Sequence, residues 1–282
     1  MNCVLRDHTS VPAIGQGSWY LGESPRKRAG ELEALRTGIE LGMTLLDTAE
    51  MYGEGLAEEL IGEAIQGYSR AGLFLVSKVY PHHAGQDHIF RSCEESLRRM
   101  KTDYLDLYLL HWRGSIPLAE TAGCMEELVR QGKILRWGVS NFDTEDMKEL
   151  WSVPSGDRCM VNQVLYHAAS RGIEYDLLPW MERHDVALMA YCPLAQAGRI
   201  SSGLLRHPVL EKIAARHQAT AAQILLSFTI RSGRAIAIPR TGRASHTLEN
   251  SRAGEIRLSP EDFLLLDEAF PAPKRKVPLD MQ

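Results

Sequence analysis

The sequence has no membrane span. No stretch approaches the roughly 18 consecutive apolar residues that crossing a bilayer requires, and the first ten residues, MNCVLRDHTS, hold no apolar signal region. It also has no disulfide frame. Cys3, Cys93, Cys124, Cys159 and Cys192 are odd in number, irregularly spaced and without a CxxC pair, a pattern of free thiols in a reducing compartment. No basic block is present. Lys and Arg total 32 against 36 Asp and Glu, a net charge of −4, so no nucleic-acid partner is expected. A Gly-rich dinucleotide fingerprint is missing as well: Gly15-Gln16-Gly17 begins one, but neither a third glycine nor a helical run follows at the required spacing. These absences predict a cytoplasmic globular protein and argue against a nucleotide site of the Gly-rich-loop type.

What is present is an alternation of short apolar runs with helical patterns. The runs are Ala13–Gly17, Thr44–Asp47, Leu73–Val79, Leu105–His111, Leu135–Val139, Met160–Leu165, Ala187–Tyr191 and Ala235–Ile238. Near-continuous apolar runs of this length suit parallel strands buried on both faces. Helices are predicted over Glu31–Leu41, Asp87–Met100 with Asp87 as N-cap, Leu118–Gln131, Thr220–Ile230 and Ser245–Arg252. A further start is marked by Ser259-Pro260-Glu261-Asp262, with serine at the cap, proline next and acids in the first turn. Repeated strand–helix units require right-handed crossovers. Eight of them in 282 residues fit one (β/α)8 TIM barrel spanning 1–282, an α/β single domain with an extra C-terminal helix and a tail near the barrel mouth. An open doubly wound sheet is the alternative that pattern alone leaves standing.

In such a barrel the chemistry sits at the C-terminal strand ends. There the second run carries Asp47 and leads to Tyr52, the third carries Lys78, and the fourth ends in His111-Trp112. The fifth run leads to Ser140-Asn141, the sixth holds Asn162-Gln163, and the seventh leads into Cys192-Pro193-Leu194. Each residue alone has an ordinary structural reading, such as a solvated lysine or a packed tyrosine. Four ionisable groups converging on one mouth favour a catalytic reading. His82-His83 lacks a third ligand, and adjacent histidines point apart, so no metal site is expected.

The segments DTAEMYG (47–53), SK ending at Lys78, LLHW ending at Trp112, GVSNF (138–142), Asn162-Gln163 and IPR (238–240) resemble, in order, the motifs of the aldo-keto reductase family along nearly the whole chain. Within that family the chain is most similar to bacterial methylglyoxal reductase-like members. The resemblance implies an NADPH-dependent reductase of small aldehydes and ketones, with methylglyoxal or aromatic aldehydes as substrates. It implies a tetrad of Asp47, Tyr52, Lys78 and His111. Chemically, hydride delivery leaves an alkoxide that needs a proton. Tyr52 is then the general acid, its pKa brought down by the Lys78 ammonium. Asp47 supports Lys78, and His111 orients the carbonyl.

The resemblance also places the cofactor. Ser140, Asn141 and Gln163 fall on the nicotinamide carboxamide, with Tyr191 stacked on its ring, and Ser18 and Asp47 are counted among the cofactor-binding residues. Cys192, Pro193, Leu194 and Gln196 fall along the pyrophosphate loop. Arg240, Thr241, Arg243, His246, Glu249 and Asn250 fall where the adenosine 2′-phosphate and adenine are held. Cys192 stands where many relatives have serine, and His246 where many have arginine. Trp19, Tyr20, Tyr80 and Trp112 are the expected walls of the substrate pocket, and a monomer is expected. Two rivals remain at this level. A Schiff-base aldolase would use a strand-end lysine, and a nucleotide-sensing subunit would keep the fold without turnover.

Overall fold

The computed structural model describes residues 1–195 and 203–281. Its first element is one the sequence reading did not anticipate. An antiparallel hairpin of β1 (Asn2–Val4) and β2 (Ser10–Pro12) places Cys3, Leu5 and Val11 in one apolar cluster with Phe74, Met160 and Ala187, closing the N-terminal end of the sheet that follows.

That sheet holds β3 (Gln16–Gly17), β4 (Leu45–Asp47), β5 (Phe74–Val79), β6 (Leu107–Leu110), β7 (Trp137–Ser140), β8 (Val161–Leu165), β9 (Ala187–Tyr191) and β10 (Ala235–Ala237). The strands are parallel and pair in sequence order. All eight expected strands are present. The ends of the sheet meet: the N–H groups of Gly15 and Gly17 donate to the carbonyls of Ala237 and Pro239, and Ala237 N–H donates to Ala13. The open doubly wound alternative is therefore excluded. Closure explains Gly17, where an added Cβ would lie 2.8 Å from the Ile238 carbonyl oxygen.

Around the sheet lie α1 (Arg28–Glu40), α2 (Leu56–Ala64), α3 (Ile89–Met100), α4 (Leu118–Arg130), α5 (Thr144–Ser152), α6 (Leu177–Arg183), α7 (Pro208–Arg216), α8 (Ala221–Thr229), α9 (Ala244–Ser251) and α10 (Pro260–Ala269). Thr220 and Ser259 cap α8 and α10 through reciprocal bonds with Gln223 and Asp262, as their sequence signatures require. Asp87 is not a cap: a turn in which His88 and Ile89 N–H groups donate to the Gly85 carbonyl carries the chain one residue further, and His88 takes the cap position without a side-chain bond. Helices α2, α5, α6 and α7 were not foreseen, although Asp143 and Asp146 form a capping box at the start of α5.

The period-two pleat sorts the strand residues into two layers. Leu45, Phe74, Val76, Leu107, Leu109, Val161, Met189 and Ile236 fill the barrel interior. Their neighbours Leu46, Leu75, Tyr108, Val139, Val164 and Leu188 pack outward on the helices. Each fully buried aliphatic side chain contributes roughly 1.5–3 kcal/mol. The next inward position above this apolar layer is Asp47 on β4, Lys78 on β5, His111 after β6, Ser140 on β7, Gln163 on β8 and Tyr191 on β9. The same alternation that builds the core thus delivers a ring of functional groups to one mouth. After α10 the tail runs toward the β7 and β8 end: Lys276 pairs with Asp143 and Asp176 at 3.8 and 3.5 Å, and Ser170 hydrogen-bonds Asp280.

Candidate active site

At the mouth lies a cavity of about 270 Å³, lined among others by Trp19, Asp47, Tyr52, His111, Gln163 and Arg240. Its floor is the ion pair of Lys78 and Asp47, with Nζ 2.8 Å from Oδ2 and both side chains buried. Lys78 Nζ also donates to the Thr48 carbonyl at 2.7 Å and to the Tyr52 hydroxyl oxygen at 3.1 Å. An ammonium has three protons, and here each has an acceptor.

Tyr52 reaches this position because the chain after it turns through three successive left-handed residues, Gly53, Glu54 and Gly55 (φ 56°, 53° and 95°). Glycine adopts this region freely and other residues rarely do. A Cβ at Gly55 would lie 2.6 Å from the Arg99 side chain, so that position admits little else.

Electrostatically, the site departs from one expectation. Tyr52 is not brought down toward neutrality in the protein alone. Burial pushes its phenol well above the ordinary value, and the charge of Asp47 pushes the same way. Desolvation of a phenolate outweighs one nearby ammonium whose charge Asp47 already balances. Tyr52 therefore holds its proton. Its oxygen accepts from Lys78, and no acceptor among the described residues takes the proton. Burial lowers Lys78 and raises Asp47, with their mutual attraction opposing both shifts. Burial, helped by the Lys78 charge, holds His111 well below its usual value. Its imidazole is thus neutral and able to donate a hydrogen bond, and its Nδ1 is buried without a partner among the described residues. The rings of His111 and Tyr52 meet edge to face at 5.6 Å.

The polar rim is internally bonded. Gln163 Nε2 donates to Asp47 Oδ1 at 2.7 Å. Ser140 Oγ donates to the Gln163 carbonyl at 2.8 Å. Asn141, in the left-handed region at φ 60°, donates to the His111 carbonyl at 3.1 Å and accepts from the Tyr191 hydroxyl at 2.8 Å. Ser18 is fully buried against the cavity, and its hydroxyl has no partner among the described residues. Cys192, Pro193 and Leu194 line the cavity, while Gln196 lies outside the described residues.

Arg240 lines the opposite lip. Its Nε donates to the Trp19 carbonyl at 2.9 Å, and its terminal nitrogens make no hydrogen bond or ion pair among the described residues. Thr241 accepts from the Arg243 N–H, and Arg243 occupies the N-cap position of α9 without a side-chain bond, while His246 on that helix is exposed. Glu249 is engaged by the Thr220 hydroxyl, and Asn250 is buried.

Trp19 and Tyr20 stack at 4.6 Å on the cavity wall. Tyr80 and Trp112 do not line the cavity. They pack edge to face at 6.0 Å, with Trp112 4.9 Å from the His111 ring. Met51 and Leu205, two cavity residues the sequence reading did not single out, are apolar and carry no pattern that would reveal them. No described residue of the tail lines the cavity. His83 of the paired histidines contacts Glu50 at 3.2 Å.

The sequence profile of the Aldo/keto reductase family matches residues 13–270. A methylglyoxal reductase, YeaE, of Escherichia coli (strain K12) is 54% identical over 96% of this chain and 95% of its own length. A glyoxal reductase of Bacillus subtilis is 33% identical over 83% of this chain and 82% of its own. A crystal structure of an aldo/keto reductase from Klebsiella pneumoniae in complex with NADP and acetate superposes with a TM-score of 0.97 at 53% identity, covering 100% of this chain and 99% of that one.

Proposed function

From this chain's membership of the aldo/keto reductase family, which makes it an oxidoreductase, we propose that it uses NADPH to reduce small aldehydes and ketones to alcohols. Methylglyoxal and aromatic aldehydes are its substrates in this reading, and Tyr52 is the proton donor. The relatives named for methylglyoxal and glyoxal reduction and the neighbour holding NADP support it. The observation that carries it is the buried chain in which Asp47 holds Lys78 and Lys78 donates to the Tyr52 oxygen at the base of the cavity.

The residues present fit a phosphorylated dinucleotide. Among the described residues the buried Ser18 hydroxyl lacks a partner and Arg240 keeps its terminal nitrogens uncommitted beside the N-terminus of α9, while amide and hydroxyl groups crowd the rim. Arg240, with Arg243 and His246, holds the 2′-phosphate through charge-assisted bonds. Ser140, Asn141 and Gln163 hold the carboxamide, and Tyr191 packs on the ring. Bound there, NADPH supplies the hydride.

The chain does the rest. Neutral His111 donates a hydrogen bond to the carbonyl oxygen and fixes its direction. Tyr52, protonated at neutral pH, releases its proton to that oxygen as negative charge develops on it. Lys78, already donating to the Tyr52 oxygen, stabilises the phenolate as it forms, and Asp47 keeps the ammonium in place. Trp19 and Tyr20 present flat apolar surface to the substrate and exclude water.

The aldolase alternative is disfavoured by the same geometry. A Schiff-base lysine needs a free lone pair, whereas Lys78 has all three protons engaged. The test is NADPH consumption with methylglyoxal and a nitrobenzaldehyde. Turnover is expected with both, and its absence across small carbonyls refutes the proposal.

A further inference from the structure

We infer that Gln163 is a positioning residue for the Asp47 carboxylate, and that through it the nicotinamide subsite is mechanically joined to the proton-donating chain. The inference rests on the reductase reading above and adds a role beyond carboxamide contact.

Asp47 is 2% exposed, and the described residues give it two side-chain donors: Lys78 to Oδ2 at 2.8 Å and Gln163 to Oδ1 at 2.7 Å. A buried carboxylate without donors is costly and takes up a proton instead. Burial raises the Asp47 carboxyl, and Lys78, then Gln163, hold it down. Both oxygens must therefore be occupied for the group to remain an anion facing Lys78.

Gln163 is built for this. It is 1% exposed, and its strand register sets it between Ser140 and Met189. Its carbonyl is gripped by Ser140 Oγ at 2.8 Å and the Asn141 N–H at 2.9 Å. The amide cannot be reversed, because a carboxylate accepts and does not donate. Its nitrogen faces Asp47 and Met189 Sδ, which leaves its oxygen for a donor from the cavity. The unbroken sequence is Gln163 to Asp47, Asp47 to Lys78, and Lys78 to Tyr52, crossing β8, β4, β5 and the loop after β4.

The remaining titratable groups around this chain are His111 from the end of β6, Cys192 after β9 near Tyr52, and Glu58 on α2 behind β5. Burial raises Cys192 to about 11, and burial and Lys78 keep His111 neutral. Neither changes charge between pH 6 and pH 9, roughly the working range of such an assay. Glu58 is already tied to Ser77 and Arg99 at 2.5 Å each.

The experiment compares wild type, Gln163→Met, which keeps length but loses the donor, and Gln163→Glu. The Asp47 carboxyl is titrated by carbon NMR in the protein without nucleotide, its resonance identified by loss in Asp47→Asn. NADPH affinity is measured by fluorescence, and kcat against pH at saturating NADPH. In Gln163→Met the Asp47 midpoint should rise by about one to two units, the span expected for losing one hydrogen bond to a buried charge. Its kcat should fall about tenfold or more, with the acid limb moved upward. In Gln163→Glu, a protonated carboxyl can still donate to Asp47, so kcat relative to wild type should be highest at acid pH and decline as pH rises. If Gln163→Met weakens NADPH binding while leaving the Asp47 midpoint and the acid limb at their wild-type positions, Gln163 serves the cofactor alone and the inference is overturned. A wild type that reduces no carbonyl, yet shows the Asp47 shift in Gln163→Met, would refute the reductase reading instead.

Discussion

Replacing Lys78 with methionine tests the site most severely, because it perturbs stability and catalysis through one atom. Methionine fills much of the buried channel but removes three hydrogen bonds and the only cation within bonding distance of Asp47 among the described residues. Breaking a fully buried pair from one side costs about 3–5 kcal/mol, since the remaining charge is stranded. For a chain of this size that corresponds to a fall in Tm of roughly 10 °C. Asp47 can escape only by protonating. Burial already raises it above its unfolded value of about 3.9, and without Lys78 it rises further. The folded state then holds a proton that the unfolded state releases, so the variant loses stability as pH rises through that window.

Thermal denaturation at pH 5 and pH 8 should show the variant nearer to wild type at the lower pH. Asp47→Asn combined with Lys78→Met should recover stability and remove the slope, because no carboxylate remains. Neither form should regain turnover, as nothing stabilises the forming phenolate. The expected loss in kcat is about 10²–10⁴-fold, and Asp47→Asn alone should be milder because the ammonium persists. A Lys78→Met protein with kcat within threefold of wild type, or with an unchanged pH profile of stability, would refute both the pairing argument and the role given to Tyr52.

Tyr52→Phe should bind NADPH almost normally, as measured by fluorescence, while kcat falls about 10²–10⁴-fold; near-normal turnover would mean that the proton comes from elsewhere. Arg240→Ala should lose NADPH in kcat/KM while NADH kinetics change little, and equal losses would show that Arg240 does not read the 2′-phosphate. Trp19→Ala should raise KM for aromatic aldehydes more than it lowers kcat, because a wall residue contributes binding shared by ground and transition states; a kcat collapse at constant KM would contradict this. His167 is buried, accepts the Ala169 N–H through Nδ1, and is lowered by burial to about 4. The unfolded chain therefore binds a proton that the native state refuses, and stability is lost as pH falls from about 6.5 toward 4. His167→Gln should flatten that loss, at most roughly 3 kcal/mol, in denaturant melts across this range; an unchanged slope would reject the assignment.

The sequence by itself determined the architecture and nominated the candidate site. Eight apolar runs separated by helical patterns are a local signal, because buried parallel strands need side chains apolar on both faces. The cap at Ser259 is legible for the same reason, since its bond spans three residues. Asp47, Tyr52, Lys78 and His111 could be nominated because they interrupt those runs at the ends that share one mouth. The tertiary structure decided whatever depends on contacts between distant strands. The hairpin of Asn2–Val4 and Ser10–Pro12 closes the barrel only because an interior exists for Cys3, Leu5 and Val11 to enter. Tyr80 and Trp112 lie beside strand-end motifs, yet pack on each other, with Trp112 also against His111, instead of lining the cavity. The direction of the Tyr52 shift depends on how completely the phenol is desolvated, which no spacing reveals. The bond from Gln163 to Asp47 spans 116 residues and that from Arg240 to Trp19 spans 221. Such pairs exist only once ring closure has brought the strands carrying them to a common mouth, and no periodicity within either segment encodes them.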